Sequence, residues 1–596
     1  MIHYSIGSEN PAAHYFDVEL DIDSPDPKGQ VLRLPAWIPG SYMIRDFARN
    51  IVSIHARTGD ASLEITQLDK SSWQVEACAG AIQVSYRVYA WDLSVRSAHL
   101  DTTHGFFNGT SVFLEVVGQS DVSCNVEIRR PQCEAARDWR LATTLTRKGS
   151  EQISFDFGHF TAQNYQELID HPVEMGDFVQ FDFEACGIRH DMVLSGRFEC
   201  DTDRLKQDLV RICEQHINLF GEPAPMPRYL FLVMVVGDGY GGLEHRSSTS
   251  LLCTRQDLPH PGDKDMTDEY RGFLGLCSHE YFHSWNVKRI KPAVFQKPDL
   301  SKESYTPLLW AFEGITSYYD DLALLRSGRI TIQDYLQLLG QTMTRVQRGP
   351  GRLLQSAAES SFNAWSKFYK QDENAPNAIV SYYAKGALIA LCMDLKIRQA
   401  SDNSHSLDDV MRKLWQRYLA GKGGVEEHDI QQLVNEVAGE DLSDILRSWI
   451  YGTDELPLAE LLEHVSVKLD FRTSAGQQDK GGKAESNLPA TTLGANVSEE
   501  SGGLKINGLR SEGAAMQAGL SAGDIIMAVN GLRADMKSYQ RWLKLSQPGS
   551  EHRLHAFRRD ELMEFNVILQ SPQEDTAVLS IGDENNPAMR LWLGQD

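Results

Sequence analysis

The first 170 residues alternate between apolar and polar positions. The runs F-D-V-E-L-D-I at 16–22, I-Q-V-S-Y-R-V-Y-A-W at 82–91 and S-V-F-L-E-V-V at 111–117 are separated by Gly, Asp, Asn and Pro. A period of two predicts strands with one buried face, and a β-sandwich is the simplest architecture that covers several of them. From 172 to about 250 the period is mixed. Residues 203–220 carry Leu205, Leu209, Ile212, Ile217 and Phe220 at helical spacing and stop at Gly221 before two prolines. Y-L-F-L-V-M-V-V at 229–236 then reads as a strand, ending in the glycine-rich G-D-G-Y-G-G. From about 267 to 453 the helical period dominates, with Ser406 and Asp409 as a capping box and Gly421 as a stop. Residues 473–487 contain no large apolar side chain and read as a flexible loop or linker. Beyond them T-T-L-G-A-N-V, L-K-I-N-G-L and A-A-M-Q-A-G-L-S-A-G-D-I-I-M-A-V-N-G open a small module.

Length and charge narrow the classes of function. A chain of 596 residues exceeds one hydrophobic core and predicts two to four domains. Its 58 Lys and Arg against 82 Asp and Glu give a net charge of -24. That balance argues against nucleic acid or an anionic membrane as partner, since both need a basic footprint. Nine cysteines with no C-x-x-C pair do not form a disulfide framework and fit a reducing compartment. The opening residues have no basic region followed by an apolar stretch, so a cytoplasmic location is expected.

The chemistry concentrates at S-H-E-Y-F-H-S-W, where His279 and His283 flank Glu280. On a helix the i, i+4 spacing puts both imidazoles on one face, where they can reach one zinc at about 2.0–2.1 Å. Glu280 stands beside the first histidine, placed to take a proton from a water at the metal. The competing reading is a surface helix with two ordinary histidines. A catalytic zinc also needs a third ligand and an open fourth position. The best candidate is Glu313, a single carboxylate in the apolar stretch L-L-W-A-F-E-G-I-T-S-Y-Y. Gly314, inside an apparently continuing helix, costs about 1 kcal/mol against alanine, which close approach of a neighbouring helix would explain.

H-E-Y-F-H-S-W-N-V-K-R-I-K-P, W-A-F-E-G-I-T-S-Y-Y and an N-terminal P-A-W-I-P-G-S-Y-M-I-R-D-F together resemble the glycyl aminopeptidase family of zinc peptidases. That family belongs to the gluzincin clan with aminopeptidase N. The resemblance implies one Zn2+ on His279, His283 and Glu313, with Glu280 as general base. Gly241, Gly242, Leu243 and Glu244 resemble the Gly-x-Met-Glu-Asn stretch of aminopeptidase N, whose glutamate binds the substrate's free amine; here His245 replaces the asparagine. Tyr383 in Y-Y-A-K-G resembles the tyrosine of a Tyr-x-Lys-Gly motif that steadies an oxyanion, with Tyr382 the alternative one place away. The basic stretch V-K-R-I-K-P lies in a 29-residue interval, 284–312, that is longer than in aminopeptidase N.

Leu493, Gly494, Ala495 and Asn496 resemble the carboxylate-binding loop of a PDZ domain, and the segment after them resembles the rest of one. Such a module takes a peptide C-terminus as an added strand. The alternative is that it packs on the enzyme and gates its cleft. The expected organisation is multidomain α+β. It comprises an N-terminal β-sandwich at 1–171, a thermolysin-like catalytic domain at 172–460, a PDZ domain at 461–572 with the flexible segment 473–487, and a tail at 573–596. The expected activity is removal of N-terminal residues, small ones by the resemblance, from peptides with a free N-terminus. A zinc endopeptidase and a PDZ scaffold with an inactive peptidase domain are the alternatives. Neither a nucleic acid nor a membrane is expected as partner.

Overall fold

The computed structural model describes residues 2–149 and 155–595. The chain forms two compact units. One comprises residues 1–304 with 327–329 and 414–425; the other comprises 305–326, 330–413 and 426–596. Among the described residues no helix is long and apolar enough to cross a membrane.

In the first unit the alternating segments are strands. Tyr15–Ile22 and Ile82–Tyr89 pair antiparallel in the middle of an eight-stranded sheet. Phe16, Val18, Leu20, Val84, Tyr86 and Val88 turn inward and are buried, and the polar residues between them face outward. Each such apolar side chain contributes about 1.5–3 kcal/mol on burial. Two four-stranded sheets bring Leu32, Trp73, Leu100 and Phe107 into the same core. The N-terminal region is therefore β-rich and layered, as its alternation predicts. One run departs: Gly109–Val112 forms a single helical turn buried at all four residues, and only Glu115–Val116 of that run is strand. Burial on every side removes the alternation on which a strand assignment depends.

The same unit contains a five-stranded sheet in the order Val179–Ala185, Ile188–Gly196, Arg228–Val236, Ser248–Thr254, Gly241–Glu244. The three inner strands run parallel. Burial on both faces explains the unbroken apolar run at 229–236. The helix Thr202–Phe220 is capped by Asp201, which accepts from the Arg204 N–H at 3.0 Å, and ends at Gly221 with φ +79°. The helix Asp268–Phe282 starts at Thr267, which accepts from the Tyr270 N–H at 3.1 Å. It is fixed from behind by the His190–Tyr281 hydrogen bond of 2.9 Å and the His216–Ser278 bond of 2.8 Å.

The second unit is helical in its first part. Leu309–Phe312 and Gly314–Arg326 meet at Glu313, and both contact Tyr382–Ala400. A Cβ at Gly314 would lie 2.5 Å from the Gly386 Cα, and one at Gly386 would lie 2.5 Å from the Trp310 carbonyl oxygen. The helices cross backbone to backbone, which is the close approach that Gly314 implies. Val467–Thr473 pairs antiparallel with Glu574–Ile581, so the PDZ-like module is inserted between two paired strands. Its sheet runs Ala495–Glu500, Gly503–Leu509, Ile525–Val529, Glu551–Arg558, Glu561–Ile568.

The segment read as flexible and the C-terminal tail both make specific contacts. Within 473–487 the Asp479 carboxylate accepts from Arg472 at 3.0 Å and from the N–H groups of Ala475 at 2.8 Å and Gly481 at 2.9 Å. Burial opposes ionisation there, but Arg472 and the two N–H groups hold the carboxyl at about 2. Composition reports how little apolar surface a segment can bury, not how many polar anchors it makes. Beyond 573, the strand Glu574–Ile581 is followed by the helix Pro587–Leu593, whose Trp592 donates to the Tyr318 hydroxyl at 2.9 Å.

Candidate functional site

The motif histidines occupy the last turn of the helix Asp268–Phe282 and its C-cap. Their Nε2 atoms are 3.1 Å apart. Two ligands about 2.0–2.1 Å from a tetrahedral centre stand about 3.3 Å from each other, so the pair is spaced for one ion. His283 is buried, and its Nδ1 lies 2.7 Å from the Asn286 carbonyl. A carbonyl only accepts, so Nδ1 carries the proton and Nε2 presents its lone pair, the arrangement a metal-binding histidine requires. The residues therefore fit a zinc ion.

Glu280 is 5 % exposed on the same helix. The strand Gly241–Glu244 lies directly against it: a Cβ at Gly242 would overlap the Glu280 carboxylate. Only glycine permits that approach. The strand's period of two then sorts its side chains. Leu243 points into the N-terminal β core, while Glu244, on the face shared with Gly242, points to the motif helix. One ligand atom of each of Glu244, Glu280 and His283 lies within 4.8 Å of the others. Arg96 donates to the Gly242 carbonyl at 3.0 Å and fixes the strand from the N-terminal side. Because Gly241–Glu244 is the last strand of its sheet, its outer edge can pair with an added peptide.

P-A-W-I-P-G-S-Y-M, singled out only by resemblance, has a concrete role. Gly40, at φ +100°, presses on Glu244, and a Cβ there would stand 2.5 Å from both carboxylate oxygens. Trp37 holds the loop by donating to the Lys302 carbonyl at 2.8 Å. Glu244 itself is 3 % exposed, and its Oε1 has no hydrogen-bond partner among the described residues.

Sequence reading left the V-K-R-I-K-P stretch unassigned. Lys288 pairs with Asp170 at 2.9 Å, and the Arg246 N–H donates to the same carboxylate at 2.9 Å. Burial opposes ionisation of Asp170, but Lys288 and His245 outweigh it and hold the carboxyl well below the usual range. His245 thus faces this ion pair. The concentration of cations in an acidic chain is the only signal of it in the sequence.

In the second unit Glu313 is 2 % exposed at the break between its two helices. Tyr382 is fully buried against Phe368, whereas Tyr383 is partly exposed. Desolvation first, and the Glu313 carboxylate next, push the Tyr383 phenol well above its usual range, which keeps it a hydrogen donor. Its hydroxyl is 3.4 Å from that of Tyr369.

The loop Leu493–Asn496 precedes and enters the edge strand Ala495–Glu500. Gly494, at φ +69°, packs against Gly513. The Val497 N–H, which faces away from its partner strand, donates to Gln477 Oε1 at 3.1 Å. Asn377 brackets the next loop, donating to the Leu509 carbonyl at 2.8 Å and accepting from the Ser511 N–H at 2.9 Å.

Known proteins resemble this arrangement. The chain matches the Peptidase M61 N-terminal domain over residues 3–177, the M61 glycyl aminopeptidase over 272–389 and a PDZ domain over 505–555. Among solved structures it is similar to an aminopeptidase N family protein from Idiomarina loihiensis, at 45% identity over 100% of both chains with a TM-score of 0.96. An M1 zinc metallopeptidase from Deinococcus radiodurans is 14% identical, with 77% of this chain and 94% of that one covered and a TM-score of 0.46. No protein of curated function matches. With the paired histidines, the glycine-lined edge strand and a full-length relative in view, the chain belongs to the M61 glycyl aminopeptidase family of zinc metallopeptidases.

Proposed function

We propose that this chain removes single residues from the free N-terminus of peptides, with His279, His283 and Glu313 as zinc ligands and Glu280 as general base. The observation that carries the reading is the pair of Nε2 atoms 3.1 Å apart beside Glu280, faced by the edge strand with Glu244 at its end. When bound, zinc would act as a Lewis acid toward the scissile carbonyl and lower the pKa of a water to about 7.

The chain's own residues do the rest. A substrate main chain adds along Gly241–Glu244, and its ammonium meets the buried Glu244 carboxylate. The Glu280 carboxylate takes a proton from the attacking water and delivers it to the leaving amine. The Tyr383 hydroxyl, kept protonated, donates to the carbonyl oxygen as negative charge develops on it. The family resemblance alone implies a small first residue, and no side chain described above carries that preference.

Engagement of the Val497 N–H by Gln477, and of the 509–511 loop by Asn377, supports a PDZ module docked within its own unit over an open peptide receptor.

The test of the metal assignment is depletion by a chelator followed by titration with zinc. Hydrolysis of an alanyl amide should vanish and return fully at one zinc per chain. Undiminished turnover by the metal-free protein would contradict the reading.

A further inference from the structure

A cavity of about 490 Å³ in the first unit has Glu244 in its wall, together with Trp37, Tyr42, Phe295, Arg246 and Lys291. That volume is within the range of small-molecule sites, and a glycine or alanine side chain would leave most of it empty. Tyr42 and Phe295 stack at 5.7 Å and offer an apolar face.

The charges around this cavity do not all find partners. Asp170 is taken by Lys288, and Arg228 is taken by Asp191 at 2.7 Å. Arg289 spends its donors on the carbonyls of Ser284, Pro225 and Arg246. Four charged groups remain; one of them, Glu167, accepts from the Gln163 N–H. The Glu244 carboxylate has an oxygen with no partner, and neither Lys291 nor the Arg246 guanidinium has an ion pair among the described residues. The Lys291 carbonyl accepts from the Val425 N–H at 2.7 Å, so its backbone is held in place. Val287, also in the wall, has φ +128°, a strained value for a β-branched residue, and strain of this kind gathers at functional sites.

The buried Glu244 carboxylate is costly to leave without a partner, and the half-buried Lys291 ammonium and the exposed Arg246 guanidinium can meet an anion that enters beside it. A peptide whose first residue is acidic supplies both complements: its ammonium for Glu244 and its side-chain carboxylate for Lys291 and Arg246. The aromatic wall takes the methylene stem between them. Resting on the aminopeptidase reading, we propose that this cavity is the pocket for the first residue and that Lys291 and Arg246 select an acidic side chain there.

The experiment compares kcat/KM of the full-length, zinc-loaded protein on glutamyl, glutaminyl and alanyl amides. Glutamyl and glutaminyl substrates differ in charge but not in size. The glutamyl amide should be favoured over the glutaminyl by about tenfold or more, the discrimination expected of a site built around a polar partner. Lys291→Met and, separately, Arg246→Gln should each shrink that ratio while leaving alanyl hydrolysis within about twofold, which also reports folding. Lys291→Glu should favour a lysyl amide. A glutamyl-to-glutaminyl ratio near one in the parent, or a ratio that neither substitution moves, would overturn the proposal while leaving the aminopeptidase reading intact. If free glutarate alters alanyl hydrolysis through Lys291 and the glutamyl amide has no advantage, the site serves a free carboxylate and the substrate assignment is overturned. Failure to cleave any free-amine substrate overturns both readings.

Discussion

Two sheet edges among the described residues carry the proposed peptide sites, and they differ in what stands beside them. At Gly241–Glu244 the face that carries Gly242 and Glu244 meets the motif helix, with Glu280 and His283 close to the buried Glu244 carboxylate. At Ala495–Glu500 the outward N–H of Val497 is already held by Gln477. The backbone device is the same. The chain itself bonds to both strands, through Arg96 at the Gly242 carbonyl and Gln477 at the Val497 N–H; what differs is the unsatisfied Glu244 oxygen and the Glu280 carboxylate beside the first.

The largest effect that can break this comparison is at Glu280. Glu280→Gln should lower kcat by about 10²–10⁴-fold, the usual range for loss of a general base, with zinc content unchanged. Gly242→Ala puts a methyl group into the space of the Glu280 carboxylate, and a displacement of this scale should cost about 10²-fold in kcat/KM. Glu244→Gln should lower kcat/KM for free-amine substrates by about ten- to a hundredfold, the worth of a hydrogen bond to a charged group.

A smaller effect follows from Lys291. Burial first, then Lys288, Arg246 and Arg289, push its ammonium down to about 8, while Asp170 pulls the other way. A lowered lysine pKa means that the cation is present below that value and lost above it. The glutamyl-to-glutaminyl ratio should therefore fall as pH rises through about 8, with Arg246 sustaining a residual preference. Taking the ratio cancels the pH dependence that both substrates share. The smallest effect is at the second edge. Asn377→Ala removes two hydrogen bonds to the PDZ module, costs about 1 kcal/mol each in stability at most, and should raise amide exchange at 509–511 without changing alanyl hydrolysis.

Much of the candidate catalytic site was legible from local pattern. The i, i+4 histidines, the strand ending in a glycine-rich turn and the costly Gly314 each follow from spacing and propensity, and Gly314 does meet Gly386. What pattern could not show is contact over long sequence distances. Gly40 against Glu244, and Asp170 with Lys288, join residues that nothing in local periodicity connects. Polar anchoring was equally hidden. Segment 473–487 lacks large apolar side chains, yet Asp479 gathers its hydrogen bonds, and Glu574–Ile581 alternates too briefly to announce itself as a strand.

The central claim is that the first edge receives a free N-terminus. The most direct measurement is hydrolysis of an alanyl amide beside its N-acetylated twin by the zinc-loaded protein. Cleavage of the free-amine compound alone is the predicted result. Equal cleavage of both would contradict the role of Glu244 and make the enzyme an endopeptidase.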